Sequence, residues 1–220
     1  MSELIVVVSS ARAGSTNLRR VLQAFHQVET FGEAFNPTGG MDQDRIRKVA
    51  PFMGVDASDI DAARAKLLEA ARRDPVAACA RFLAYADAAG GGFAEIKALP
   101  GHLSAPVFAR ILRTFRPVGV FLYRSPIDVF ISLEKAKALG RFRRVDTTDV
   151  RPSIAAKDFL AWKWKQQNHY QMATYFFKKM NLRMLSISYE EMYADPRSPL
   201  AYIQARFGEI SVDLGAYDEE

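Results

Sequence analysis

The sequence predicts an α/β fold, a three-layer sandwich in which a central, mostly parallel sheet is flanked by helices. Short apolar runs of strand length alternate with longer stretches of helical spacing, which is typical of a doubly wound sheet. The first run, Leu4 to Val8, is uninterrupted, as in strands that are buried on both faces. The 220 residues are enough for one sizeable core, and we predict a single domain over residues 1–220.

A short polar loop joins the first strand to a helix that begins near Gly14 or Ser15. The helix has one apolar face, formed by Leu18, Val21, Leu22 and Phe25. The N–H groups of its first turn lie at the positive end of the helix dipole, which suits a phosphate or a sulfate. The alternative is an ordinary strand-to-helix turn in which Ser15 and Thr16 only cap the helix.

The loop is P-loop-like, but it is not a Walker A loop, because Gly14 is followed by Ser15 and no lysine is present. P-loop enzymes usually hold magnesium with an aspartate that ends a buried strand. Here three predicted strands are followed by cations instead, at Arg12, Lys97 and Arg124. Ligands of open α/β sheets bind beyond the carboxyl ends of the strands. The sequence therefore predicts a positive, metal-poor pocket for an anion.

A second segment, residues 123–135, adds an arginine and a hydroxyl to this edge. Arg124 closes the predicted strand 118–123, and Ser132 follows within the second turn of the next helix. A guanidinium and a hydroxyl so placed can share one terminal phosphate. The alternative is a structural Arg124 paired with Asp128 or Glu134.

Together the two segments resemble the sulfotransferases that use 3′-phosphoadenosine 5′-phosphosulfate (PAPS). SSARAGSTNLRRVL, residues 9–22, is similar to their 5′-phosphosulfate loop, and YRSPIDVFISLEKA, residues 123–136, is similar to their 3′-phosphate segment. Residues 185–208 are similar to the family's late strand, which is followed by Tyr-Glu and a closing helix. The bacterial and carbohydrate-acting branches, which favour arginine in the loop, look closer than the cytosolic branch, which uses lysine.

The resemblance implies that PAPS is held by Arg12, Ala13, Gly14, Ser15, Thr16, Asn17, Arg124 and Ser132. It implies the P-loop-like fold and a sulfuryl transfer that needs no metal. Two residues of the loop depart from the pattern, since Ala11 stands where proline is common and Ala13 where serine is common. The Lys-Thr-His motif of the cytosolic branch is also missing, because four residues separate Lys97 from His102.

Four residues are candidates for the transfer chemistry. Glu33, in the turn after the second predicted strand, 27–31, is the first candidate for the base that takes the acceptor's proton, because related sulfotransferases place a carboxylate in a similar turn. His102 is the second candidate for the base. Arg12 would offset charge on the bridging oxygen, and Lys97 would assist the leaving group.

Each of these residues also has a plainer interpretation. Glu33 and Lys97 could be surface residues, and His102 could belong to an ordinary turn. His26 and His169 lie on predicted helices and are weaker candidates. In the predicted helix 161–179, Trp162 and Trp164 could stack on an adenine, although core packing is the simpler interpretation.

The composition is compatible with an enzyme that binds a polyanionic ligand. The net charge is +5. A basic cluster follows Gly140 at Arg141, Arg143 and Arg144, and it could lie over the bound nucleotide, attract an acidic acceptor, or be a solvated loop. Cys79 is the only cysteine, and we expect it to be buried in a reducing, cytoplasmic environment. Neither a signal peptide nor a membrane span is expected, and no zinc-ligand spacing or nucleic-acid motif is evident.

Three functions are thus compatible with the sequence. The first is a PAPS-dependent sulfotransferase that acts on a hydroxyl of a carbohydrate or another small metabolite. The second is a nucleotide kinase-like phosphotransferase, which the missing lysine and aspartate disfavour. The third is a nucleotide-binding module without catalysis. The acceptor cannot be read from the loops that would select it.

Overall fold

The computed structural model describes residues 1–36, 41, 43–140, 149–195 and 197–217. Its centre is a parallel sheet in the order β2-β3-β1-β4-β5. The strands are β1 (Glu3–Val8), β2 (Val28–Gly32), β3 (Phe93–Ala98), β4 (Val118–Tyr123) and β5 (Met184–Ser188). The chain crosses from one side of β1 to the other between β3 and β4. The loops after β1 and β4 therefore diverge, which opens a crevice at their carboxyl ends.

Nine α-helices are described, and most of them form two layers, one on each face of the sheet. They are α1 (Ser15–Gln23), α2 (Gln43–Val49), α3 (Ile60–Arg73), α4 (Pro75–Ala88), α5 (Ala105–Phe115), α6 (Pro126–Ala138), α7 (Ala156–Lys179), α8 (Tyr189–Ala194) and α9 (Pro199–Gly208). Buried side chains of α1, α8 and α9 cover one face. Those of α2 to α5 and α7 cover the other. The predicted α/β sandwich with a P-loop-like fold is confirmed.

The sheet core follows from the strand sequences. The side chains of β1 alternate between the two hydrophobic clusters, with Ile5 and Val7 on the α1 face and Leu4, Val6 and Val8 on the other. Both faces of β1 are therefore dry, and only its carboxyl end opens toward a ligand.

Three details differ from the sequence-based expectation. β3 continues through Lys97 to Ala98, so that this lysine lies inside the strand rather than beyond it. α7 begins at Ala156, five residues before its predicted start. His26 lies outside the helices, because α1 ends at Gln23.

Two further expectations concern Cys79 and the membrane. Cys79 is fully buried in α4, and the loss of solvent raises the pKa of its thiol well above the ordinary value. Among the described residues, no helix has the length and hydropathy that crossing a bilayer requires.

Candidate functional site

The carboxyl ends of the central strands surround a cavity of about 790 Å³. The loop after β1 forms one wall, the start of α6 a second, and the turns after β2 and β3 a third. Arg12, Arg124 and Lys165 bring positive charge to it, and Glu33 is the one carboxylate among its described lining residues. The arrangement suits an anionic ligand bound by the cations, with the Glu33 carboxylate beside it as a proton acceptor.

The loop before α1 is shaped by two residues with left-handed backbone conformations. Arg12 has a φ of 69° and Gly14 a φ of 94°, and α1 begins without a side-chain cap. A Cβ at Gly14 would lie 2.3 Å from the Tyr189 ring, so glycine is needed for the close contact as well as for its φ. The ring of Tyr189 therefore packs directly on the loop backbone where α1 begins.

The two sequence segments meet at this loop. Arg12 Nε donates to Ser132 Oγ at 3.1 Å, and Arg124 Nη1 donates to the backbone oxygen of Arg12 at 3.1 Å. Neither Asp128 nor Glu134 is paired with Arg124 in the described structure, and Glu134 is paired with Lys137 instead. Arg124 therefore contacts the loop after β1 and does not form the ion pair with Asp128 or Glu134 that the sequence left open. Arg12, Arg124 and Ser132 form one continuous wall.

The Tyr-Glu pair after β5 supports the same wall. The guanidinium of Arg124 lies over the ring of Tyr189, 4.5 Å from its centroid. Glu190 accepts a hydrogen bond from the Ser125 amide at 3.0 Å, at the N-terminus of α6. The order of these residues in the sequence does not disclose that Tyr189 contacts Arg124 and that Glu190 contacts the next residue, Ser125.

Glu33 and His102 lie in the same cavity, on separate turns. Asn36 Nδ2 donates to Glu33 Oε2 at 2.7 Å, which orients the carboxylate. Burial lowers the pKa of His102, and the negative charge of Glu33 partly opposes that shift. The lowered pKa favours the neutral form of His102, in which a histidine can accept a proton.

Lys97 is placed differently from the other candidates. Its side chain is 3% exposed, and it does not belong to the described cavity wall. It lies on the α1 face of β3 together with Glu95, with which it interacts electrostatically. His169, on α7, contacts the Ala98 oxygen through Nε2 at 2.9 Å, and burial lowers its pKa.

Helix α7 contributes residues to the cavity wall that the sequence analysis did not identify as site residues. Trp162, Lys165 and Gln166 line the cavity, whereas the side chain of Trp164 is 67% exposed and lies away from it. The alternation of Trp and Lys was the available signal for a groove at this helix. Tyr170 fixes the helix over the sheet, because its hydroxyl donates to the Leu122 oxygen at 2.6 Å and accepts from the Ser10 amide at 3.1 Å.

A smaller cavity of about 230 Å³ adjoins the first. The two share Arg124, Trp162 and Gln166, and the stacked rings of Tyr123 and Tyr170 line the smaller one. Thr16 and Asn17 lie at the main cavity, whereas Ala13 is buried and is not among the described residues that line it, so its contact with PAPS stays a prediction. The basic cluster at Arg141, Arg143 and Arg144 lies outside the described residues.

Comparison with known proteins gives a family match over nearly the whole chain. The model of a sulfotransferase family matches residues 4–210. A comparison with curated protein sequences gives no significant match.

Among the solved structures that are similar to this chain are two sulfotransferases. The sulfotransferase domain from the curacin biosynthetic pathway has a TM-score of 0.59 at 15% identity, over 100% of this chain and 76% of that one. Mouse sulfotransferase SULT7A1 complexed with PAP has a TM-score of 0.48 at 16% identity, over 96% of this chain and 60% of that one. At such identities the first structure supports the fold alone, while the family match covers the loop, the Arg124 segment and the Tyr-Glu pair together. The chain belongs to the sulfotransferase family.

Proposed function

We propose that this chain transfers a sulfuryl group from PAPS to a hydroxyl of a small acceptor, without a metal. The observation that carries the proposal is the joining of Arg12, Ser132 and Arg124 into one wall of the cavity. Two arginines beside the uncapped first turn of α1 suit a ligand with anionic groups at two positions.

In this proposal the two phosphate positions of PAPS are met by different residues. The amides of Gly14, Ser15 and Thr16 and the guanidinium of Arg12 hold the phosphosulfate. Arg124 and Ser132 hold the 3′-phosphate, which ATP lacks. Tyr189 contributes by keeping the guanidinium of Arg124 in place.

The transfer step moves one group and one proton. The acceptor oxygen forms a bond to sulfur as the bond from sulfur to the bridging oxygen breaks, and 3′-phosphoadenosine 5′-phosphate (PAP) leaves. The acceptor's proton passes to Glu33 or His102, both of which line the cavity. Arg12 offsets the charge that develops on the bridging oxygen, as a preorganised donor does in other anionic transition states.

The acceptor is proposed to be a carbohydrate or another small metabolite with a free hydroxyl. In addition to Arg12, Ser132 and Arg124, the cavity is lined by Trp162, Lys165 and Gln166 of α7. An aromatic ring together with amide and ammonium groups is a suitable surface for a polar acceptor.

Nucleotide binding separates this proposal from a kinase-like function. We expect PAP to raise the melting temperature of the protein in EDTA, and ADP to raise it much less. Arg124→Ala and Ser132→Ala should each reduce the preference for PAP, whereas the control Arg113→Ala, on the exposed side of α5, should not. Charge-assisted hydrogen bonds make a loss of about ten- to a hundredfold in PAP affinity reasonable for Arg124→Ala.

Two outcomes would contradict the proposal. One is a stabilisation by ADP that requires magnesium and matches that of PAP, which would favour a phosphotransferase. The other is a preference for PAP that survives both substitutions, which would mean that the 3′-phosphate lies elsewhere.

A further inference from the structure

A carboxyl group without solvent exposure lies in β3, next to the turn that carries Glu33. Glu95, in the middle of β3, is 0% exposed. Its side chain shares the α1 face with that of Lys97, and it interacts electrostatically with Lys97, Arg19 and Arg45. Burying a carboxyl group is costly unless charges and hydrogen bonds compensate for it, so its contacts indicate what it stabilises.

The one hydrogen bond described for this carboxyl group goes to the turn that carries Glu33. Glu95 Oε2 accepts from the Gly32 amide at 3.1 Å, in a buried environment. Gly32 ends β2 with a φ of 58°, and the pairing of β2 with β3 shifts register between Thr30 and Gly32. The chain therefore leaves the sheet at Gly32, and Glu95 holds the last amide before Glu33.

The side chain of Arg19 makes a second contact with the same turn. A Cβ at Gly32 would lie 3.5 Å from Cδ and from Nη1 of Arg19, so the Arg19 side chain packs on the turn. Arg19 is also one of the cations near Glu95. The start of the Glu33 turn thus contacts both the Glu95 carboxyl group and the Arg19 side chain.

We infer that Glu95 is a positioning residue for the transfer site, which holds the Gly32 amide and so keeps the Glu33 carboxylate facing His102. The inference rests on the proposed function only for the role of Glu33 in transfer. The arrangement of Gly32, Glu33 and His102 can be measured whether or not the protein transfers sulfate.

Three substitutions of Glu95 separate position from charge. Glu95→Gln removes the charge and keeps an oxygen at the same reach to accept from the Gly32 amide. Glu95→Asp keeps the charge and withdraws the oxygen by one methylene. Glu95→Leu removes both. If the position of the oxygen that accepts from the Gly32 amide is what matters, Glu95→Gln should keep the Glu33 turn as it is in the wild type, and Glu95→Asp should disturb it as Glu95→Leu does.

The pKa of His102, measured by NMR titration, reports the distance of Glu33 without any ligand. The chain has three histidines, so His26→Gln and His169→Gln assign the signals. Removing a nearby negative charge lowers the pKa of a histidine. We expect Glu33→Gln to lower the pKa of His102 in the wild type and in Glu95→Gln, and to lower it clearly less in Glu95→Asp and Glu95→Leu. An equal shift in every background would overturn the inference.

Hydrogen exchange in the wild type tests the inference even if a Glu95 variant does not fold. The amide of Gly32 should exchange its hydrogen as slowly as those of the neighbouring β3 ladder. Exchange at the rate of an open loop would show that Glu95 does not hold the turn.

An activity measurement then connects position to catalysis. With an acceptor in hand, Glu95→Asp should lower kcat while its affinity for PAP stays that of the wild type, and Glu95→Gln should restore kcat. If PAP binds none of these proteins, the proposed function fails, yet the titration still decides the role of Glu95. A fall in kcat in Glu95→Gln that Glu95→Asp does not share would assign the effect to charge, and falls of the same size in both would assign it to neither charge nor position; either result would contradict the inference.

Discussion

The side of the cavity where we propose nucleotide binding (the nucleotide side) and the side where we propose proton removal and transfer (the transfer side) are built in different ways. On the nucleotide side, over β1 and β4, Arg12, Ser132 and Arg124 come from two continuous sequence segments and contact one another directly. On the transfer side, over β2 and β3, Glu33 and His102 stand on separate turns. The Glu33 turn is held by Glu95. Anion binding can be encoded in one loop and one helix start, whereas the placement of a base requires contacts between distant strands.

The comparison makes its largest prediction at Glu33. Glu33→Gln should lower kcat by about 10²–10⁴-fold, the usual contribution of a general base, and leave PAP affinity unchanged. The exposed carboxylate Glu69, paired with Arg73 on α3, gives the matched control Glu69→Gln. Kinetics at saturating PAP check the prediction. Unchanged turnover in Glu33→Gln together with a large loss in His102→Gln would move the base to His102.

In our proposal, Arg12 is the residue of the nucleotide side that also takes part in the chemistry. Arg12→Ala should lower kcat by about 10²–10³-fold, the cost of removing one preorganised donor from developing negative charge. PAP affinity should fall as well, because the same guanidinium contacts Ser132 at the wall. A loss of affinity with kcat intact would limit Arg12 to binding and sharpen the division between the two sides.

The pH dependence of transfer distinguishes the two candidate bases. Burial holds the pKa of His102 below its ordinary value, so its neutral form persists to lower pH than that of an exposed histidine. If His102 takes the proton, the rate should fall about tenfold for each pH unit below that lowered pKa. The control is His102→Gln, which should lose this limb. Identical acidic limbs in both proteins would exclude His102 as the base.

Gly14 tests the nucleotide side with a smaller expected effect. Gly14→Ala places a methyl group 2.3 Å from the Tyr189 ring at a φ of 94°, so the ring and the loop must both shift. We expect PAP affinity to drop severalfold and the stability to fall by more than about 1 kcal/mol, which is what this backbone conformation alone costs alanine, because the contact with Tyr189 adds to that cost. Calorimetry with PAP measures the first effect and thermal unfolding the second. Gly54→Ala, with a φ of 66° and open space around its Cβ, is the control for backbone strain alone.

The sequence predicts the nucleotide side better than the transfer side, because the nucleotide side is built from contiguous segments and the transfer side from separate turns. The strand, the loop and the helix before and after Gly14 are contiguous, and the spacing from Arg124 to Ser132 is local to one strand end and one helix. Tyr189 could not be recognised as the support of Arg124, because 65 residues separate them along the chain. The family and the α/β sandwich were therefore predictable, while the bracing of the arginine was not.

Lys97 shows that a strand can be predicted correctly while the direction of a side chain near its end is not. A cation near the end of a strand was expected to reach the ligand, but β3 runs one residue beyond it, and its side chain turns to the face of Glu95. Alternation along the strand decides the face, and an error of one or two residues at a strand end changes which residues reach the cavity. The role of Lys97 in assisting the leaving group remains a prediction.

Transfer of a labelled sulfuryl group tests the central proposal most directly. The protein is incubated in EDTA with [³⁵S]PAPS and a cell extract cleared of endogenous nucleotides, and labelled products are then separated and identified. We predict a labelled small-molecule product that requires the protein, disappears with Arg12→Ala or Glu33→Gln, and persists with Glu69→Gln. A folded protein that binds PAP and labels nothing would contradict transfer and indicate a nucleotide-binding module.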